Sequence, residues 1–415
     1  MTETSKARTI CAEGGPLGRL FLVSLFPYST QFWRLLLVAC GLLPVACALA
    51  GCRTHDFPQY PPNYREYAYV TNGGSGTVSI YDVVNVRLDR EIPVGQNPVD
   101  VAVNPDRNEV YVLNQGTAAG NGSLSVLNAE TNSVVSTIGL HRMPASINLD
   151  AAHQLAYIAN SGSNTVSVID LKARREIAQI GVGEQPVGAV VSPDARTVAV
   201  PNRAGNSVSI LDTASRRVRA VFGGCPGASA AVVLPDSSKA FVACSAGHQV
   251  MAIALADSKF HPGAPDQFEA LMDVGRAPVQ LALKPDGGEM FVSNSQSGSI
   301  SEVVTTTDDV GGAYLMGDNP VNGIVSNDNS LLYVSVQRAS EVTMYSPTDG
   351  KRTWSIHVGD GPSAMAFSAA GHLLFVVDTR SGDVAVVRTS THSLFTMLPA
   401  GRSPNAIAVK SFRLP

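Results

Sequence analysis

From about Tyr67 onward the chain consists of short runs of β-branched, aromatic and small apolar residues, separated by clusters of Gly, Asn, Asp and Pro. Runs of this length bounded by turn formers predict β-strands joined by tight turns. Residues 144–183 show the unit clearly, with strands predicted over 144–149, 155–160, 165–170 and 176–180. Several runs are apolar at successive positions rather than alternate ones, so these strands are covered on both faces.

The unit repeats. A Tyr/Phe-Val-x-Asn-like tetrad begins at Tyr69, Tyr111, Tyr157, Ala199, Phe241, Phe291, Tyr333 and Phe375, in steps of 42, 46, 42, 42, 50, 42 and 42 residues. A second marker, Gly-x-x-Pro, ends at Pro98, Pro186, Pro278, Pro320, Pro362 and Pro404, with looser counterparts at Pro144 and Pro226. A period of about 40–45 residues built from four short strands is the mark of propeller blades. The fold class is therefore all-β, a β-propeller of eight four-stranded blades. The chain enters with the second strand of one unit and ends with a lone first strand at 405–409, which is expected to pair inside the N-terminal blade and leave no open edge. Seven blades is the alternative, and it would require the unit at 226–275, which carries an insertion, to be spurious.

Tyr69-Val70-Thr71-Asn72, with its echoes at Tyr111–Asn114, Tyr157–Asn160 and Phe291–Asn294 and the following Thr-Val-Ser-Ile/Val-x-Asp, resembles the YVTN-repeat (YncE-like) β-propeller family over nearly all of 67–409. That resemblance implies the fold and an exported binding or surface protein. It implies no catalytic residue, because the repeated motif is structural. The tetrads ending at Cys244, Val336 and Asp378, and the one beginning at Ala199, depart from the motif and mark blades that differ from the rest.

Composition agrees with a chain rich in turns: Gly 37, Pro 25, 45% hydrophobic and only 15% charged residues exclude intrinsic disorder. The first fifty residues differ in kind. An apolar run over 35–50 follows Arg34 and ends in Leu49-Ala50-Gly51-Cys52, the pattern of a lipoprotein signal in which Cys52 becomes the lipidated first residue. The run is broken by Gly41 and Pro44 and is short for a bilayer crossing of about 20 residues. Met1–Trp33 is long for the lead of such a segment, which points to a translation start downstream of Met1. The expected organisation is a signal over 1–51, a proline-bearing tether over 52–66 and a single propeller over 67–415. Arg53 stands where inner-membrane retention favours Asp, so the expected location is the cell envelope, lipid-anchored at the outer membrane on its periplasmic or surface face. Removing the signal takes away four basic and two acidic residues and moves the formal charge from −4 to −6. Nucleic-acid steering by a basic body is then excluded.

No nucleophile elbow, zinc-protease, haem-attachment or phosphate-loop motif is present. The sequence implies no cofactor, no metal site and no catalytic residue. Of the eight histidines, His55 lies in the tether and the other seven fall at unequal places in their units, so they form no ring of equivalent ligands. On the first strands, which converge on the central channel, Asp100, Ser146, Asn148, Gln280 and Asn322 are polar among apolar neighbours; they are candidates to hold a small polar ligand or a cation, and a column of channel water is the plainer reading. In the turns before the fourth strands, Arg87, Arg174, Arg175, Arg216, Arg217 and Lys351 form a candidate basic rim, against which stands a set of solvated hairpin turns. Cys225 and Cys244 belong to one blade and are disulfide candidates in an oxidising compartment. The longest break in the repeat, 255–273, holds His261, Asp266 and Glu269 and is a candidate recognition loop. The favoured reading is a monomeric binding scaffold for a protein, glycan or small ligand, held at the membrane by its anchor. The alternatives are a propeller enzyme or cofactor carrier, lactonase-like or haem- or quinone-associated, and a nucleic-acid binder acting through the basic rim.

Overall fold

The computed structural model describes residues 58–256 and 262–414. Those residues form eight four-stranded antiparallel sheets arranged as a β-propeller, with no helix among them. Blade 1 is composite: Tyr64–Asn72, Thr77–Asp82 and Arg87–Pro93 are joined by the last strand, Pro404–Arg413, which pairs with the first from Tyr64↔Arg413 to Asn72↔Pro404. Blades 2 to 8 follow in order as residues 98–142, 144–181, 186–223, 228–273, 278–315, 320–357 and 362–399. In each, the chain runs from an inner strand at the channel through second and third strands to an outer strand. The unit holding the insertion is a regular sheet, blade 5, so the count is eight and not seven. The first strand opens at Tyr64, so residues 64–66, expected in the tether, belong to the sheet. Cys52 and the signal lie outside the described residues.

The second strands show why the runs are apolar throughout. Glu109–Asn114 and Leu373–Asp378 are buried at every position, because each sheet is covered by a neighbour on both faces. The core is accordingly a ring of interfaces between blades: Tyr111, Leu113 and Leu124 of blade 2 pack with Ile147 and Ile158 of blade 3, and Val208 and Ile210 of blade 4 pack with Val242 and Ile253 of blade 5. The residue that opens each tetrad, an aromatic in every blade but the fourth, where it is Ala199, is buried from Tyr69 round to Phe375.

The tetrad's last residue has a polar task. Asn72 donates through Nδ2 to Thr77 and Ser79 at 3.0 and 2.9 Å, and Asn114, Asn160, Asn202 and Asn294 make equivalent bonds to the hydroxyls that follow them on the third strand. The Asn and the Thr/Ser-x-Ser that follows it are thus one hydrogen-bonded unit, which accounts for their recurrence together.

Candidate functional site

The inner strands line the channel, and on that side they have no neighbouring strand to pair with. Buried backbone groups need partners, and polar side chains of the adjacent blade supply them. Asp100 accepts from the backbone N–H of Val101 at 2.8 Å and, across the blade boundary, from that of Ile147 at 3.0 Å. Asn148 accepts from the Val191 N–H at 3.1 Å. Gln280 accepts from the Gly323 N–H at 3.0 Å and donates to the Gly323 carbonyl at 3.2 Å. Asn405, Ser229 and Ser335 make comparable bonds to carbonyls of Pro98, Pro278 and Ser363. The channel candidates therefore divide. Asp100, Asn148 and Gln280 staple one blade to the next, while Ser146 and Asn322 are half-buried on blades 3 and 7. Burial pushes the Asp100 pKa up to about 6, the two backbone hydrogen bonds opposing it.

Cys225 and Cys244 are joined with Sγ–Sγ 2.05 Å, both fully buried, the second standing where most blades carry the tetrad Asn. In blade 8 the same position is Asp378, which accepts from the Gly359 N–H at 3.0 Å. Burial first, and the nearby Asp383 carboxylate second, push its pKa to about 8.

The turns between inner and second strands and those between third and outer strands lie on one face of the ring. There, the boundaries between blades 1 and 2, 2 and 3, 3 and 4, 5 and 6, and 7 and 8 each form a notch. Its walls are the residue two before the tetrad aromatic, the aromatic itself, and the last residue of the next blade's third–outer turn. That turn residue is held in the left-handed region at Asn132, Arg174, Arg216, Asp308 and His392, φ 49–58° within this set, so it is set at a common backbone geometry from blade to blade.

At the blade 2–3 boundary the notch is closed. Glu109 accepts from Tyr111 Oη at 2.7 Å, from Arg107 at 2.8 Å and from Arg174 of blade 3 at 2.9 Å. Burial works against the charged form, but the hydrogen bonds from Tyr111, Arg174 and Arg107 prevail and hold the carboxyl below its ordinary pKa. At the blade 5–6 boundary the signs are reversed: Lys239 meets Asp308 at 2.8 Å and Glu269, from the end of the insertion, at 2.7 Å. Burial acts to lower the Lys239 pKa, and the two carboxylates outweigh it and raise it. Asp266 of the same insertion grips Arg219 of blade 4 at 2.7 Å, so the described part of the insertion works as a clamp between blades. His261 lies outside the described residues.

At the blade 3–4 boundary the notch is open. A cleft of about 440 Å³ is lined by Asp150, His153, Leu155, Tyr157, Arg196 and Arg216 among others. Tyr157 is 1% exposed and its hydroxyl has no hydrogen-bond partner; burial, with Asp150 adding to it, pushes its pKa up to about 12. A cleft of about 460 Å³ occupies the equivalent place at the blade 7–8 boundary, between Leu331, Tyr333 and His392.

The basic rim separates accordingly. Arg174 points into the blade 2–3 notch and Arg216 lines the blade 3–4 cleft, whereas Arg87, Arg175, Arg217 and Lys351 are exposed at the starts of outer strands. The notch pairs Glu109–Arg174 and Lys239–Asp308 are inter-blade contacts that the linear pattern does not announce. The signal that would reveal them is a charge two residues before a buried aromatic, matched by an opposite charge 65 or 69 residues on.

No family model matches the chain, and no curated protein matches it. Solved structures do. The dihydro-heme d1 dehydrogenase NirN in complex with DHE superposes with a TM-score of 0.67 at 14% identity, covering 85% of this chain and 76% of that one. Apo AztD from Citrobacter koseri gives 0.65 at 12% identity, covering 84% and 98%. A putative 6-phosphogluconolactonase from Bacteroides uniformis gives 0.57 at 13% identity, covering 83% and 99%. The likeness is one of fold alone. At such identities the propeller is shared, and the site must be read from its own residues.

Proposed function

We propose that this chain is a lipid-anchored extracytoplasmic binding scaffold that holds its ligand on the face carrying the notches. One observation carries the reading. The channel's polar groups are largely used to bind blade to blade, whereas the blade 3–4 notch keeps an open cleft with a buried, unpartnered Tyr157 hydroxyl. A rigid ring displaying preformed clefts suits binding at little ordering cost. Cys52 supplies the anchor, and the expected place is the outer membrane.

A propeller enzyme or cofactor carrier is the second reading, supported by two structural neighbours, a dehydrogenase complex and a putative lactonase. Native mass spectrometry of the protein extracted from envelopes separates the two. The scaffold reading expects an acyl-modified chain whose modification is abolished by Cys52→Ser, with any adduct being a small metal-free molecule. A retained metal or chromophore would move the assignment to the carrier reading.

A further inference from the structure

The closed and open notches are one repeat apart, and their positions correspond one to one. Tyr111 corresponds to Tyr157, Arg174 to Arg216, Arg107 to His153 and Glu109 to Leu155. In the closed notch the Glu109 carboxylate is the hub, held by the Tyr111 hydroxyl and by the guanidinium groups of Arg107 and Arg174. In the open notch the hub is missing. Leu155 offers no acceptor, Tyr157 Oη is buried with no partner, and Arg216, at the same φ of 55° as Arg174, has no hydrogen-bond or ion-pair partner among the described residues.

We propose that the cleft between blades 3 and 4 is a receptor site for a small organic carboxylate, whose carboxyl group takes the place that Glu109 fills one blade earlier. The site deepens the binding-scaffold reading and rests on it. A buried hydroxyl left without a partner costs free energy, and a charge-assisted bond from a carboxylate is the strong way to satisfy both it and an arginine. The cleft's own acids do not fill the role. Asp150 is occupied by the His153 backbone N–H and ring at 3.0 and 2.7 Å, and Asp194 by Ser192 Oγ at 2.6 Å and the Arg196 N–H at 3.1 Å. Leu155, half-buried in the wall, gives an apolar surface for the stem that carries the carboxyl. A volume of about 440 Å³ lies in the range of small-molecule pockets.

The test is calorimetric titration of the purified full-length protein with butyrate and 3-phenylpropionate, each beside its neutral primary amide. The acids are expected to bind, and the amides to bind at least about tenfold more weakly. Leu155→Glu, which restores an internal hub, and Arg216→Gln, a change at a solvent-exposed turn residue of the cleft wall outside the core, are each expected to weaken the acids by a similar factor. Equal binding of acid and amide, no binding of either acid, or unchanged affinity in Arg216→Gln would overturn the proposal. A peptide ending in the same phenylpropionyl-like carboxylate that binds where the free acids do not would also overturn the small-molecule assignment. None of these outcomes bears on Cys52 acylation or on the mass of the envelope-extracted protein, so the broader reading stands or falls separately.

Discussion

The notches flanking blade 3 are made from the same positions, yet the one shared with blade 2 is closed by Glu109 and Arg174 and the one shared with blade 4 is open around Tyr157 and Arg216. In a repeat protein each blade boundary is solved separately, since a blade contacts its neighbours and little else. Geometry is common to these boundaries; the side chain that fills it is not. Comparison of equivalent positions therefore separates what the fold requires from what it leaves available to a ligand. It also shows two boundaries closed by ion pairs of opposite sense, Glu109–Arg174 and Lys239–Asp308, so closure takes a charge pair of either sense and not a particular residue.

The largest expected effect comes from the same comparison made at the tetrad Asn. Asp378 carries a proton up to about pH 8 in the folded chain, against about pH 3.9 when unfolded. Because the folded form binds the extra proton, stability falls as pH rises between those two values and levels off above the higher one. Asp378→Asn places an amide where blades 1 to 4 and blade 6 have one, facing Asp383 on the next strand. It is expected to gain a few kcal/mol near pH 8 and to flatten the slope, as measured by urea unfolding at pH 5 and pH 8. A slope unchanged by the substitution would remove Asp378 as its source.

Glu109→Leu converts the closed notch into an open one. It leaves Arg174 unpartnered and the Tyr111 hydroxyl with only the bond it accepts from Asn104 at 3.3 Å, and the expected loss is about 2 kcal/mol. Glu109 is held below its ordinary pKa, so its contribution is present at neutral pH and fades as pH falls through the folded value. The wild-type and variant unfolding curves should accordingly converge on acidification. Curves that stay parallel down to acid pH would mean the loss comes from packing around the introduced leucine and not from the missing carboxylate.

Much of the architecture is legible in the chain. The tetrad and Gly-x-x-Pro markers place every blade, and the closing strand follows from the unit being entered at its second strand. What the pattern places without explaining is the polar side chains. Asp100, Asn148 and Gln280 stand out on apolar strands, but their partners are backbone groups of the next blade, which carry no residue identity to read. Likewise Arg174 reads as a solvated turn until the register of two blades places it against Glu109. The blade 3–4 cleft is harder still to foresee, because its signature is the lack of a charge at Leu155.

Leu155→Glu is the converse substitution and is expected to stabilise the protein, by about 1 kcal/mol, since Arg216 is more exposed than Arg174 and its share is screened by water. The gain should shrink to the part owed to the Tyr157 hydroxyl when Arg216→Gln is added, a coupling that a double-mutant cycle isolates. Additive effects would show that the introduced carboxylate points away from the arginine, and the equivalence of the two notches would end there.

The smallest effect belongs to the outer rim. Arg175 and Arg217 sit one repeat apart at the exposed starts of outer strands, with neither placed in a notch. Replacing both with Gln is expected to shift stability by less than about 0.5 kcal/mol. The same pair tests whether the rim acts at all. If it binds anions, loss of both charges should weaken association with anionic vesicles or oligonucleotides at low salt while leaving the carboxylate titration unchanged. If the titration weakens as well, the attraction attributed to Arg216 and Tyr157 is the general field of the blade 3–4 rim. In that case the open notch gains its specificity from charge density and not from the missing carboxylate.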